Sequence, residues 1–222
     1  LFGQYDQSLG ASVFWLGWLG PRSRSRVSII MDREDEDFYR SLEERVQFIQ
    51  SFRPNPRDVF KVGLSVSMID VETFTPDPGE IPDAQGIMLE LWSDWKWDRT
   101  NDPIKPTTGY YLKLSGTISP PWGLSESPYG KLQVDGVRFQ ALSENFILAG
   151  RMRAGASQTM GEATDLLPNR RFYAGGYNTM RGHSRRRLGP TDSTDDPRGG
   201  QFVALAGVEL RFPLFWLLAG AA

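Results

Sequence analysis

The sequence predicts an all-β protein, an antiparallel transmembrane β-barrel. Three observations predict it. Apolar and polar residues alternate with a period of two along most of the chain. The alternating stretches are long, about 11 to 14 residues against about 5–6 for the usual strand of a water-soluble protein, and they suffice to cross a bilayer at a tilt. The connections alternate too, short on one side and long on the other, which is the plan of a barrel in an outer membrane.

The strands follow in order. The first covers 9–19 and ends among Trp15 and Trp18. The next two, 24–37 and 41–52, share the acidic run "EDEDFYRSLEERVQFIQSF". Leu42, Val46 and Ile49 would suit a helix, but Val46, Phe48 and Phe52 also fit a strand. All neighbouring segments are strands, so two strands meeting near Tyr39 to Ser41 are expected. In 58–72, Phe60, Val62, Leu64, Val66 and Met68 alternate with Lys61, Gly63, Ser65 and Ser67. In 86–97, Ile87, Leu89, Leu91, Trp95 and Trp97 oppose Met88, Glu90, Trp92, Asp94 and Lys96. In 109–119, Leu112 and Leu114 oppose Lys113 and Ser115. The strand 129–142 begins in phase with Leu132 and Val134 and resumes one residue off at Val137 and Phe139, so a bulge is expected near Gly136. In 145–158, Leu148, Met152 and Ala154 oppose Arg151 and Arg153. In 200–212, Phe202, Ala204, Val208 and Leu210 oppose Glu209 and Arg211. A tenth strand starts at Trp216.

Long connections are expected at 73–85, 120–128 and 159–199, and shorter ones at "GPRS", "RPNPR", "SEN" and Pro213. The tight connection near residue 40 and "DRTNDPIKPTT" are the exceptions. A soluble β-sandwich shows the same alternation, but it has no reason to sort its loops by parity. Lys113, Arg151, Arg153, Glu209 and Arg211 stand in mid-strand on polar faces, as a wet lumen would have them. Six of the 7 Trp fall near strand ends or loops, where interfacial aromatic girdles sit.

Composition narrows the chemistry. The net charge of −2 argues against a nucleic-acid binder. The absence of Cys removes disulfides, thiolate catalysis and Cys-ligated metal. The single residue His183 makes a multi-His metal site impossible and a Ser-His-Asp triad poorly supplied. No catalytic residue, metal or cofactor is expected, and the acidic run "TDSTDD" reads as a solvated loop tip.

The segment Arg171–Pro190, "RFYAGGYNTMRGHSRRRLGP", fits neither strand nor helix. Its five arginines surround Gly175, Gly176 and Gly182. Glycine permits positive φ or a close approach of another chain, and a guanidinium folded into a lumen would take a carboxylate bidentately. On charge alone, a solvated surface loop is the better account.

The spelling resembles the signature loop of the BamA/TamA outer-membrane assembly-barrel superfamily, the bacterial surface antigen family. That signature reads R-F-x-x-G-G-x-x-x-V-R-G-F/Y, followed by a Leu-Gly-Pro-like stretch. Arg171, Phe172, Gly175, Gly176, Arg181 and Gly182 match it, as do Leu188, Gly189 and Pro190. Met180 stands for the usual Val and His183 for the usual aromatic. "WDRTNDPIKPTTGYYLKL" is similar to a short-side turn of the family through Asp98, Pro103, Pro106 and Gly109. "GGQFVALAGVELRFPL" is similar to the strand after the signature loop through Glu209 and Pro213.

The resemblance implies that residues 1–222 are part of an outer-membrane barrel domain, roughly ten of sixteen strands, with the long lumen or surface loop at 159–199. Terminal strands and periplasmic POTRA repeats would lie outside it. It implies an integral, non-enzymatic protein of the bacterial outer membrane that assembles, inserts or translocates others. Its partners would be the bilayer, unfolded outer-membrane or secreted clients, and periplasmic accessory proteins reached through the POTRA repeats. A two-partner secretion porin and the barrel anchor of a fused enzyme, such as a patatin-like lipase, are the alternatives. Arg181 would anchor the loop on a carboxylate of the strand from Trp216 or its neighbour, with Gly182 allowing close approach and Gly175-Gly176 forming the bend. Glu209, Arg211, Arg151 and Arg153 are candidate members of the lumen network. Arg185, Arg186 and Arg187 read as solvated or rim charges.

Overall fold

In the structure, a computed structural model, residues 5–36, 38–74, 84–122, 124–161, 165–177, 179–193 and 195–213 are described. They form β1 (Tyr5–Leu16), β2 (Ser23–Asp35), β3 (Tyr39–Phe52), β4 (Val59–Thr73), β5 (Ala84–Asp98), β6 (Gly109–Ser119), β7 (Tyr129–Ala141), β8 (Ile147–Thr159) and β9 (Phe202–Arg211). The nine strands make one antiparallel sheet in sequence order. The tenth strand expected from Trp216 lies outside the described residues. The acidic run resolves into β2 and β3, as the neighbouring strands implied. Strict antiparallel order puts connections 17–22, 53–58, 99–108 and 142–146 at one end. The longer ones, with the tight 36–38 turn, lie at the other.

The wall is inside-out relative to a soluble protein. On β4, Val62, Leu64, Val66 and Met68 are exposed, while Gly63, Ser65 and Ser67 are buried. Met68 is 63% exposed and Ser67 only 1%. The same outward face carries Ile29, Val46, Leu91, Leu132, Met152, Phe202, Val208 and Leu210. Exposing so much apolar area to water is unfavourable; facing lipid, it is what a barrel requires. No helix among the described residues is long and apolar enough to cross a membrane.

The expected bulge at Gly136 is not there. Pairing of β7 runs without interruption against β6 and β8. Leu132, Val134 and Gly136 stay on the outward face, and Val137 and Phe139 turn inward. Phe139 is buried beneath the Arg211 guanidinium, 5.2 Å from its ring centroid. The phase change comes from apolar residues inside the lumen, and Leu112 and Met152 lie over Gly136 outside.

Aromatic rings gather at the short-turn end. Trp18 meets Phe48, Phe52 stacks on Phe60, Phe60 meets Trp95, and Trp95 stacks on Trp97. This row sits where an interfacial girdle belongs. Trp92 instead points inward and lies over Gly63, its directly paired neighbour on β4, where a side chain would collide with the indole.

At that end, two turns are tied together. Arg99 holds Asp58 bidentately at 2.5 and 2.8 Å, and Asn55 donates to the same carboxylate at 2.6 Å. The Arg99 hydrogen bonds hold the Asp58 carboxyl below the usual carboxylate range. Asp98 accepts from the Thr100 N–H at 3.1 Å and its hydroxyl at 2.6 Å. Gly109 adopts φ +99°, where a Cβ would meet the Arg99 carbonyl. These contacts give Asp98 and Gly109 their structural parts in the turn.

Candidate functional site: the lumen loop

The described residues of the connection 160–201 lie across the polar face of the sheet, and the buried core forms between them. Leu166 and Leu167 pack with Phe38, Tyr39, Ile69, Val71, Met88 and Tyr129, with Tyr173 against the cluster. A 3-10 turn, Pro168–Arg170, follows, with Pro at its start fixing the backbone. That turn aims Arg170 into the wall. Its guanidinium grips Glu43 of β3 bidentately at 2.8 and 3.1 Å, and its Nε donates to Glu90 of β5 at 2.9 Å. Arg170 retains only 13% side-chain exposure. The Tyr129 hydroxyl of β7 donates to Glu90. The Lys131 ammonium donates to the Arg170 carbonyl at 2.6 Å, and Arg45 pairs with Glu43 at 2.8 Å. One loop residue thereby gathers β3, β5 and β7, which requires a concave face.

Arg171, the first signature residue, is buried and spent within the loop. It donates to the Leu166 carbonyl at 2.7 Å, the Arg198 carbonyl at 2.8 Å and the Asp165 carboxylate at 2.7 Å. Both legs of the loop are thereby pinned. Phe172 exchanges backbone hydrogen bonds with Gly200, both at 2.9 Å. Its ring lies over Gly155, where an added Cβ would come within 2.6 Å, and under the Lys131 ammonium at 4.2 Å.

The tip folds through its glycines. Gly175, Gly176 and Gly182 all have positive φ, near +105°, +91° and +90°. The chain bends at Gly175-Gly176. A Cβ at Gly175 would strike the Ser184 carbonyl. Around Gly182 there is open space, so its glycine answers to backbone conformation and not to the close approach expected of it. The Gly176 N–H donates to the His183 carbonyl at 3.0 Å. The His183 side chain is exposed and does not take the packed place of an aromatic.

Arg181 meets Glu209 of β9, the neighbour of the expected partner strand, at 3.3 Å, and its guanidinium lies 5.4 Å from the Tyr177 ring centroid. It remains 60% exposed. Residues beyond 213 lie outside the described ones. Glu209 also pairs with Arg211 at 3.4 Å. Arg151 donates to the loop carbonyl of Thr179 at 3.1 Å, and Arg153 pairs with Asp135 of the wall at 2.5 Å. The four candidate network residues therefore all face the lumen, and Arg151 and Glu209 touch the loop.

Arg186 departs from the rim reading. It is half-buried at φ 60° and pairs with Glu34, and it donates to the Tyr39 hydroxyl at 2.6 Å. Glu36 lies 3.4 Å away, and the Tyr173 ring centroid 4.9 Å. Arg185 takes Asp6 at 2.8 Å and Glu36 at 3.0 Å. Burial pushes the Glu36 carboxyl up, against the pull of both arginines. Arg170, Glu43, Tyr129 and Glu34 were not singled out from the sequence, Glu90 was placed only on a polar face, and Arg186 was read as a rim charge. Mid-strand carboxylates at Glu43 and Glu90, on the polar faces of long strands, were the available signal.

The Omp85 superfamily domain matches residues 1–221. The outer membrane protein assembly factor BamA of Nitratidesulfovibrio vulgaris is 32% identical over 114 residues, 50% of this chain and 14% of that protein. The crystal structure of BamA from Haemophilus ducreyi lacking POTRA domains 1–3 superposes with a TM-score of 0.81 at 16% identity. That match covers 94% of this chain and 45% of the other. The chain thus spans less than half the length of either protein. A polar lumen wall, an apolar outer face and a family match over nearly the whole chain converge: the chain belongs to the Omp85 superfamily of outer-membrane β-barrels.

Proposed function

We propose that this chain is the wall and lumen loop of a protein that assembles or inserts other outer-membrane proteins, or translocates secreted ones. The observation that carries the reading is the signature loop, clamped on the wall by the preceding Arg170 through Glu43 of β3 and Glu90 of β5, with Lys131 of β7 on its carbonyl. The work is physical. An unfolded client strand has unpaired N–H and C=O groups, which are costly in hydrocarbon. A weakly closed seam offers a strand edge on which the client pairs. In this reading the seam strands and the periplasmic repeats belong to the rest of the protein. The docked loop keeps β3, β5 and β7 in place while the seam opens. No covalent step is involved. A catalytic domain upstream would favour the enzyme-anchor alternative, and a dedicated secreted partner would favour the porin.

The test is depletion and complementation of the full-length protein, with outer-membrane protein levels as readout. Loss of the protein lowers those levels, and Arg170→Ala restores them incompletely although the barrel itself reaches the membrane. Unchanged levels on depletion would overturn the proposal.

A further inference from the structure

A second feature lies at the opposite end of the lumen from the loop's core. Arg22, Arg24, Arg26, Arg53 and Lys61 line one cavity of about 510 Å³ at the short-turn mouth, around Ser51. Arg24, Arg26, Ser51 and Lys61 stand on the lumen faces of β2, β3 and β4 by strand parity, and Arg24, Ser51 and Lys61 form one row across the three strands. Among the described residues no carboxylate lines the cavity, and the nearest in the row is Asp94 of β5, opposite Lys61, which pairs with Lys113. Two of the five cations are held by uncharged groups instead. Arg22 donates to the Pro54 carbonyl at 2.5 Å, and the Arg24 guanidinium lies 4.0 Å from the Phe14 ring centroid. Such contacts fix the side chains and leave their charge uncompensated. Other lumen cations are matched, Arg45 with Glu43 and Arg153 with Asp135. Like charges crowded in one cavity repel, and an anion relieves them.

The spacing fits an extended anion. Arg24 and Arg26 are alternate residues of one strand, their backbone positions about 6.6 Å apart, and Arg24 and Lys61 rise from positions two strands apart, about 9.6 Å. These are the intervals of an extended chain. They match carboxylates on alternate residues of an extended chain, which Arg takes bidentately. The barrel wall separates the cavity from lipid, since Val27, Val46 and Val62 occupy the other face of the same strands. We propose that the short-turn mouth of the lumen binds extended acidic peptide segments. The inference rests on the barrel topology and not on the assembly role.

The test uses the full-length protein in detergent and a fluorescein-labelled octapeptide of alternating Asp and Ser, read by anisotropy. The peptide binds, a Lys-Ser counterpart does not, and affinity falls between about 50 and 300 mM salt. Arg24→Gln, Arg26→Gln and Lys61→Gln combined weaken binding about tenfold or more. Each single change gives a smaller loss of the same sign, which keeps the test valid should the triple variant fail to fold. Lys105→Gln, on the same end but outside the cavity, leaves binding unchanged. Equal binding by wild type and by the combined and single variants would overturn the proposal. So would displacement of the peptide by inorganic phosphate at equal charge, which marks a small-anion site, or capture of phosphatidylglycerol vesicles in its place, which marks a lipid site.

Discussion

Replacing Arg170 by Ala removes the one cation among the described residues that pairs with both Glu43 and Glu90. Both carboxylates are nearly fully buried. Glu43 keeps Arg45, and Glu90 keeps the Tyr129 hydroxyl. Removing one partner of a buried pair costs about 3–5 kcal/mol, and the residual partners favour the low end. A loss of about 3 kcal/mol shifts the docked–undocked equilibrium of the loop roughly 150-fold. Arg181 is different, with a single contact at 3.3 Å and most of its surface in water. An exposed pair of that kind contributes about 0–1 kcal/mol. The geometry therefore ranks Arg170 above Arg181 as the loop's hold. The assay is limited trypsin digestion of the full-length barrel, with cleavage after Arg185–Arg187 as readout. Arg170→Ala speeds cleavage by two orders of magnitude, and Arg181→Ala by less than about fivefold. Adding Glu43→Gln and Glu90→Gln to Arg170→Met recovers part of the protection, because the two buried carboxylates are then no longer left without Arg170. Greater loop exposure in Arg181→Ala than in Arg170→Ala would refute the reasoning.

Further outcomes follow from the wall and the turns. Gly155→Ala pushes the Phe172 ring off its seat and raises hydrogen exchange at Phe172 and Gly200, whereas Gly150→Ala, which meets open space, does not. Val66→Arg, at the middle of the outward face of β4, lowers stability in vesicles by about 2–4 kcal/mol in urea titrations. The ordering contributed by depressed Asp58 is present above the ordinary carboxylate range and lost as pH falls through its lower folded value. Exchange protection of the 99–108 turn should therefore hold from pH 7 down to about 4 and fall only below that, and Asp58→Asn should lack it throughout.

The wall was legible because a barrel writes one bit per residue, lipid or lumen, at a fixed period of two. β6 was expected at its observed bounds, and β4, β5 and β7 to within two residues. The phase change in β7 was misread because period two shows only that a face switches polarity. It does not show whether the backbone slipped or the lumen turned apolar, as it did at Val137 and Phe139. The loop was legible as a bend and a lumen element through its glycines and signature. Its strongest hold was not. Arg170 stands one residue before the signature, and its partners Glu43 and Glu90 lie 127 and 80 residues away. Nothing local distinguishes it from Arg185 or Arg187. Arg186 was taken for a rim charge for the same reason, since Glu34 and Tyr39 reach it only once β2 and β3 are in place.

The central claim is an inside-out wall with the loop docked on its polar face, and cysteine accessibility tests it most directly. The chain contains no Cys, so single substitutions at Val66, Ser67 and Met68 of β4 report cleanly once the full-length protein is in vesicles. The account predicts that Val66→Cys and Met68→Cys react with a lipid-soluble maleimide and resist a charged one. Ser67→Cys should resist both until Arg170→Ala releases the loop, and then react with the charged reagent. Labelling of Val66→Cys and Met68→Cys by the charged reagent, or of Ser67→Cys by the lipid-soluble one, would contradict it.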